Sequence, residues 1–187
     1  WACPEHEQIL SQCNDQVVAV DMLAGMMDYR YRAEMLMNYM EALVELYPTC
    51  EAVYMKNSGK MFAADKIRNH TIPKEDRFVY FAVNVRFFNI QDTDDMIVDT
   101  LGMHMLSLPD LQYHFHAVDP NAVVNHAYNV LSYLFANGNP IQENDTIDGM
   151  MGEQWHCHYE DALIQPVREV IDIDMNAFAS GNRENME

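Results

Sequence analysis

TLGMHMLSLPDLQYHFHAVDPNAVVNHAYNVLSYLFANGNPIQENDTIDG, residues 100–149, carries two strands, a capped helix and a turn in that order. Residues 96–106 read as a strand with Gly102 as a bulge or close-packing point. Ser107-Leu108-Pro109 turns the chain. Residues 110–117 return with Leu111, Tyr113, Phe115 and Ala117 on one face, the period-two pattern of a half-buried strand. Asp119 and Pro120 are an N-cap and a first helical residue, and Gly138 suits the left-handed position after a helix end. Between them Val123, Val124, Ala127, Leu131, Leu134 and Phe135 form one apolar stripe, so the spacing predicts a helix over 121–137.

Towards the N-terminus, QVVAVDMLA (16–24) reads as a buried strand ending at Gly25. Asp28 caps a second helix whose stripe is Tyr29, Ala33, Leu36, Met40, Leu43 and Tyr47, stopped at Pro48. Residues 50–55 and 61–64 are short strands about a turn at Asn57-Ser58-Gly59-Lys60, and 65–75 reads as loop. RFVYFAVNVRFFNI (77–90) alternates Val79, Phe81, Val83, Val85 and Phe87 and predicts a central strand, because its second face is also largely apolar. After a turn at 145–152, residues 154–160 and 169–175 read as strands. Strands joined by short turns pair antiparallel, and two amphipathic helices each have one face to bury. The expectation is an α+β fold: a mixed, mostly antiparallel sheet with two main helices packed on one face. Residues 1–175 form a single α+β domain in this reading, and 176–187 a frayed polar tail.

The chain has 187 residues, 49% of them hydrophobic. That is enough for one domain to bury roughly 70% of the surface its unfolded chain exposes. It starts at Trp1 rather than Met, which leads us to expect an N-terminally truncated piece of a longer protein. No apolar run approaches the length of a membrane span. Cys3, Cys13, Cys50 and Cys157 show no CxxC spacing, as expected of idle thiols in a reducing cytosol, with a Cys3–Cys13 disulfide as the alternative. Eleven Lys and Arg face 29 Asp and Glu, a net charge of −18. Phosphate backbones and anionic lipid surfaces need cations, so nucleic acid and membranes are excluded as partners. A basic protein partner fits that charge. The fifteen methionines fill irregular core gaps in this reading.

GxSxG, HExxH, GxxxxGK[ST] and GxGxxG are all absent. The one constellation with metal-ligating chemistry is histidine. His114 and His116 sit two apart on one strand, His156 and His158 two apart on another, so each pair shares a face. Were the strands neighbours, four imidazoles would converge, with Asp172 and Asp174 as oxygen donors, a set suited to Zn, Fe or Ni. Each pair also alternates with apolar residues, as do Asp172 and Asp174 with Ile171 and Ile173, which is what the polar face of a half-buried sheet looks like. We take the second reading and assign no metal and no cofactor. Asp94 with Asp95, and Asp145 with Asp148, serve turns. Cys157 lies between two histidines in sequence, and strand geometry points it away from both, as a buried thiol.

Ser107-Leu108-Pro109-Asp110-Leu111-Gln112, the Asp119-Pro120 helix start, Asn144-Asp145-Thr146-Ile147-Asp148-Gly149, and Pro166 with Arg168 ahead of the last strand form a series. The series resembles the bacterial domain-of-unknown-function family 4261. Its members carry a Gly-rich strand, G-L-P-E-L-E, a D-P-capped helix, G-D-T-I-G and a P-x-R step. The resemblance covers about 50–175 and is clearest over 100–147. Ser107 and Asn144 replace family glycines, which leads us to expect looser turns, although Asn tolerates positive φ. The resemblance implies an architecture and no catalytic residue. The functional expectation is therefore a non-catalytic binding or accessory module of a bacterial cytosolic protein, engaging a basic protein partner. The alternative is a metal-dependent enzyme using His114, His116, His156 and His158.

Overall fold

A computed structural model describes residues 3–22 and 24–181. The chain divides into two compact units, residues 1–84 with 105–107, and residues 85–104 with 108–187.

The first unit contains α1 (His6–Gln12), a 3-10 turn at Ala24–Met26, α2 (Tyr29–Leu46), β1 (Ala52–Met55), β2 (Lys60–Ala63), α3 (Asp65–Arg68) and α4 (Arg77–Ala82). Asp28 caps α2 as expected: its carboxylate accepts from the backbone N–H of Arg30 at 3.1 Å and Tyr31 at 3.2 Å. The buried face of α2 is Ala33, Met37, Met40 and Val44, rotated slightly from the expected stripe, with Leu36 and Leu43 half-buried at its margin. β1 and β2 are an antiparallel hairpin, and the first turn of the following loop closes as α3. Phe62 of β2 packs on Phe81 of α4 with ring centroids 4.8 Å apart.

Two expectations fail in this unit. Residues 77–90 are not one strand: α4 occupies Arg77–Ala82 and a strand begins only at Asn84. A run apolar on both faces fits a buried helix as well as a central strand. What selects the helix is tertiary. Arg77 pairs with Glu41 of α2 at 2.5 Å, and the Lys60 ammonium donates to the carbonyls of Tyr80 and Val83 (2.7 Å to the latter) at the α4 C-terminus. Nor is the 16–24 stretch a buried strand. Residues 13–22 form neither helix nor strand, and Val17, Val18 and Val20 are exposed. Apolar composition makes a strand only where a ladder partner exists, and the described residues offer this segment none.

The second unit is built on a six-stranded sheet. Its strands are β3 (Asn84–Asn89), β4 (Met96–Leu101), β5 (Asp110–Phe115), β6 (Thr146–Asp148), β7 (Gln154–Asp161) and β8 (Glu169–Asp174), in the order β3-β4-β5-β8-β7-β6. The last turn of the expected 96–106 strand is instead a 3-10 turn at Met103–Leu106 after Gly102, and β6 forms inside the expected 145–152 turn. β4–β5, β8–β7 and β7–β6 are antiparallel, while β5 and β8 are parallel, with Leu111 opposite Ile171. The fold is α+β with a mixed, mostly antiparallel sheet. Of the expected frayed tail, Asn176–Phe178 is a 3-10 turn and Ala179 bridges Phe115; residues 182–187 lie outside the described residues.

α5 (Pro120–Asn137) packs on β4 and β5. Asp119 caps it by accepting from Asn121 N–H at 3.0 Å, and Gly138 ends it at φ 73°, donating to Leu134 O. Its buried residues Val123, Ala127, Val130, Leu131 and Leu134 meet a sheet face carrying Val98, Leu111, Tyr113, Phe115, Ile171, Ile173, Trp155 and Cys157, all buried. Tyr113 OH and His126 Nδ1 of α5 lie 3.0 Å apart. Gly149 backs onto the Trp155 ring so closely that a Cβ there would fall 2.7 Å from it, which is why that turn ends in glycine.

Where the family glycines are replaced, the left-handed backbone is kept. Ser107 holds φ 59° and Asn144 φ 65°, both left-handed. The side chains are carried in a conformation that costs a non-glycine residue about 1–2 kcal/mol, less for Asn. Ser107→Gly should therefore raise stability by about 1 kcal/mol and Asn144→Gly by less, read from urea unfolding midpoints.

Lys60 gives a pH dependence. Burial, and secondarily Lys66, push its amine down from 10.5 to about 8. Between pH 8 and 10.5 the unfolded chain still holds a proton that the folded chain has released, so stability rises with pH through that window. Urea unfolding at pH 7.5 and 10 should show a gain of up to about 3 kcal/mol from this group, and the Lys60→Met variant should lack that increment.

Candidate functional site

The face of the sheet away from α5 is polar, and alternation puts it there. One cross-strand row runs Asp99, Gln112, Asp172, His158 along β4, β5, β8 and β7. Two residues along, Ile97 faces His114 on β5, and Asp174 of β8 faces His156, which in turn faces Thr146 of β6. On the other side lie Asp110, Val170 and Glu160. Asp99, Asp110, Gln112 and Asp172 are buried, although they lie on the face that α5 leaves open.

What buries them is the connection between β7 and β8, fastened by side chains of the sheet. Gln112 donates through Nε2 to Glu160 and Asp172, each at 3.1 Å, and accepts at Oε1 from Leu163 N–H at 2.7 Å. Arg168, the residue before β8, spends all five N–H donors. Nε reaches Asp110 Oδ2 at 3.2 Å, Nη2 reaches Asp99 Oδ1 at 2.7 Å and Thr100 O at 2.6 Å, and Nη1 reaches Ile164 O and Pro166 O. Arg86 forks onto the second oxygen of Asp99 through Nε (2.8 Å) and Nη2, and ties Gln165 O at 3.0 Å. Asp110 also accepts from Met103 N–H at 3.0 Å and pairs with His104 Nδ1 at 3.0 Å. Burial pushes the Asp99 carboxyl up from its ordinary value, and the guanidiniums of Arg168 and Arg86 pull against that shift. A carboxylate with an arginine on each oxygen is an ion-pair anchor, not a poised base.

The histidine pairs do not converge. β5 and β7 flank β8 on opposite sides, so two strand spacings, about 10 Å, separate the backbones of His114 and His156. His114 Nε2 lies 3.6 Å from Asp95 Oδ2, and His116 Nδ1 lies 3.0 Å from Ser180 Oγ. Ser180 Oγ donates to Asp95 Oδ1 at 2.8 Å, and its N–H donates to His114 O. That group docks residues 178–181 against the end of β5. It also differs from a nucleophile relay, because the serine proton is directed at the carboxylate rather than at an imidazole. His156 and His158 stack with centroids 6.4 Å apart. His158 Nδ1 pairs with Glu143 at 3.1 Å, and Glu143 is held below its ordinary range first by Tyr159 N–H at 2.6 Å and then by His158. Asp172 and Asp174 sit between the pairs, in register with His158 and His156. Among the described residues no group of three or more His, Cys, Asp or Glu is placed to hold a metal ion.

The remaining sequence candidates have local roles. Asp145 accepts from Gln142 N–H at 2.7 Å and Asp148 from Gln154 Nε2 at 2.6 Å, both turn-stabilising bonds. Cys157 faces Ile173 on the α5 side. Burial first, then Asp145, Asp172 and Glu143, push its thiol up to about 12, so it is no nucleophile at neutral pH. All four cysteines are free. Sequence reasoning missed Arg86, Asp99 and the role of Arg168. A lone acid inside the apolar run Met96-Ile97-Val98-Asp99 was the available signal, since a charge at such a position has to be paired.

Removing Arg168 would strand two buried carboxylates. Arg168→Met should cost about 3–5 kcal/mol in urea unfolding. Arg168→Lys should recover only part of that, because an ammonium cannot span Asp99, Asp110 and three carbonyls. Adding Asp99→Asn and Asp110→Asn to Arg168→Met should restore stability relative to the single variant.

No curated protein and no solved structure matches this chain. All of the network except Arg86 lies within 99–174, and that segment matches a family model. Residues 99–174 match the Domain of unknown function (DUF4261), the family that the Ser107–Gln112 and Asn144–Gly149 motifs resemble.

Proposed function

We propose that this protein is a non-catalytic binding module of a bacterial cytosolic protein, and that it engages a basic protein partner through its second unit. One observation carries the reading. Between residues 85 and 181 the chain has two basic residues, Arg86 and Arg168, against fifteen Asp and Glu. Both arginines are committed to the buried carboxylates Asp99 and Asp110. Among the described residues of this unit the outward charge is therefore acidic without a lysine or arginine to interrupt it. Exposed members include Asp92, Asp94, Glu143, Asp145, Asp148, Asp161 and Glu169. A surface of one sign steers a partner of the other and repels nucleic acid and anionic membranes. No helix among the described residues is long and apolar enough to cross a membrane.

The buried polar groups support the same reading. Asp99, Asp110 and Gln112 spend their hydrogen-bonding capacity inside the protein, and Cys157 is protonated at neutral pH. Affinity capture from the source cells should recover basic proteins. A recovered partner, purified and titrated directly, should lose affinity about tenfold or more between 0.05 and 0.5 M NaCl, and charge reversal at Glu143, Asp145 and Asp148 should weaken it further. Salt-independent binding would contradict the proposal. So would substrate turnover abolished by one point substitution, or stoichiometric zinc, iron or nickel that is lost in a His114→Ala, His156→Ala variant.

A further inference from the structure

We propose that His156 and His158 make the acidic surface of the second unit pH-gated. As imidazoliums they neutralise in place the carboxylates that a basic partner engages; as neutral rings they leave those carboxylates to the partner. The inference rests on the acidic-partner reading and names the regulation of that surface. The charge inventory of the unit prompts it. Between residues 85 and 181 the side chains able to carry positive charge, apart from Arg86 and Arg168, are all histidine: His104, His114, His116, His126, His156 and His158. Imidazole is the side chain whose charge ordinarily changes between about pH 5 and 8. Four of these histidines are engaged away from the exposed acidic face: His104 with Asp110, His114 with Asp95, His116 with Ser180 and His126 with Tyr113. His156 and His158 stand on it.

The polar face of the sheet is open where these two residues lie. Thr146, Asp148, Gln154 and His156 are exposed there, and His158 and Asp174 are half-buried. His156 of β7 sits between Thr146 of β6 and Asp174 of β8. Its ring stacks towards that of His158, with centroids 6.4 Å apart. His158 lies opposite Asp172 and pairs through Nδ1 with Glu143 at 3.1 Å. Asp148, two residues along β6 from Thr146, accepts from Gln154 Nε2 at 2.6 Å. Asp172 accepts from Gln112 Nε2 at 3.1 Å and Asp174 from Asn176 N–H at 2.8 Å. The charged groups around the two rings are therefore Glu143, Asp148, Asp172 and Asp174, every one acidic. Carboxylates ordinarily stay ionised above about pH 5, so the histidines set how this patch changes across the neutral range. The sign follows: as pH falls the patch gains positive charge, and attraction for a basic partner weakens. The imidazoliums supply from within the chain the charge that lysine or arginine of the partner supplies from outside.

N-acetylated hexalysine is a suitable probe, because its own charge is constant between pH 5.5 and 8. Titrated calorimetrically into the full chain at 0.05 M NaCl, it should bind about three- to tenfold more tightly at pH 8 than at pH 5.5. The His156→Gln, His158→Gln variant should lose most of that ratio by binding at pH 5.5 almost as it does at pH 8. The His156→Lys, His158→Lys variant carries the charge permanently and should bind weakly at both. Either variant decides the matter if the other does not fold by circular dichroism. Salt-sensitive binding that is equal at the two pH values overturns the gate and leaves the acidic-partner reading standing. A ratio that survives in the glutamine variant also overturns the gate, since the other histidines then carry the effect. Absence of salt-sensitive binding at pH 8 overturns the acidic-partner reading and the gate with it.

Discussion

The guanidinium of Arg168 holds the second unit in its observed form. It lies between Asp99 and Asp110, on neighbouring strands, and turns its remaining donors to the carbonyls of Thr100, Ile164 and Pro166. Without it the carboxylates of β4 and β5 would be two like charges out of water. With it they bind the β7–β8 connection onto the sheet. Arg86 completes the arrangement from β3, so one ionic cluster ties three strands and the β7–β8 connection. Buried ion pairs contribute little net stability compared with an apolar replacement, but they are intolerant of losing one partner.

The sheet is thus covered in two chemically different ways. α5 buries one face by ordinary apolar packing, its buried Val123, Ala127, Val130, Leu131 and Leu134 belonging to a helix that lies against β4 and β5. The other face is closed by charge and amide hydrogen bonds. Drawing both arginines of the segment inward leaves the outside acidic. The same two residues that stabilise the interior therefore determine the electrostatics of the surface, and structure and proposed partner chemistry meet at one cause.

The family-like motifs acquire physical meanings in this arrangement. Asp110 and Gln112, where the family carries two glutamates, are the acceptor for Arg168 and the amide bridge to Asp172 and Leu163. Arg168 belongs to the P-x-R step. Ser107 and Asn144 occupy left-handed positions, and Gly149 leaves room for Trp155. These are architectural roles, in keeping with a resemblance that carries no catalytic residue.

Much of this architecture was legible in the sequence. Asp119, Pro120 and Gly138 bracket α5, Asp28 caps α2, and alternation along 110–115 and 154–158 assigns faces correctly, including the polar side for His114, His156 and Asp172. These features depend on residues within one or two turns of each other, where local geometry dominates. The strand order, with β8 between β5 and β7, was not legible, and it is what keeps the histidine pairs apart. Nor was the helix at 77–82, which depends on Glu41 and Lys60, dozens of residues away. The exposed 13–22 segment eluded the sequence for the same reason: apolar content states a need for burial but not whether a partner lies within reach. The sequence determined local conformation and which side chains share a face. Tertiary structure decided which strands are neighbours, and with that which charges neutralise one another, because pairing across a sheet is a long-range choice that no local period encodes.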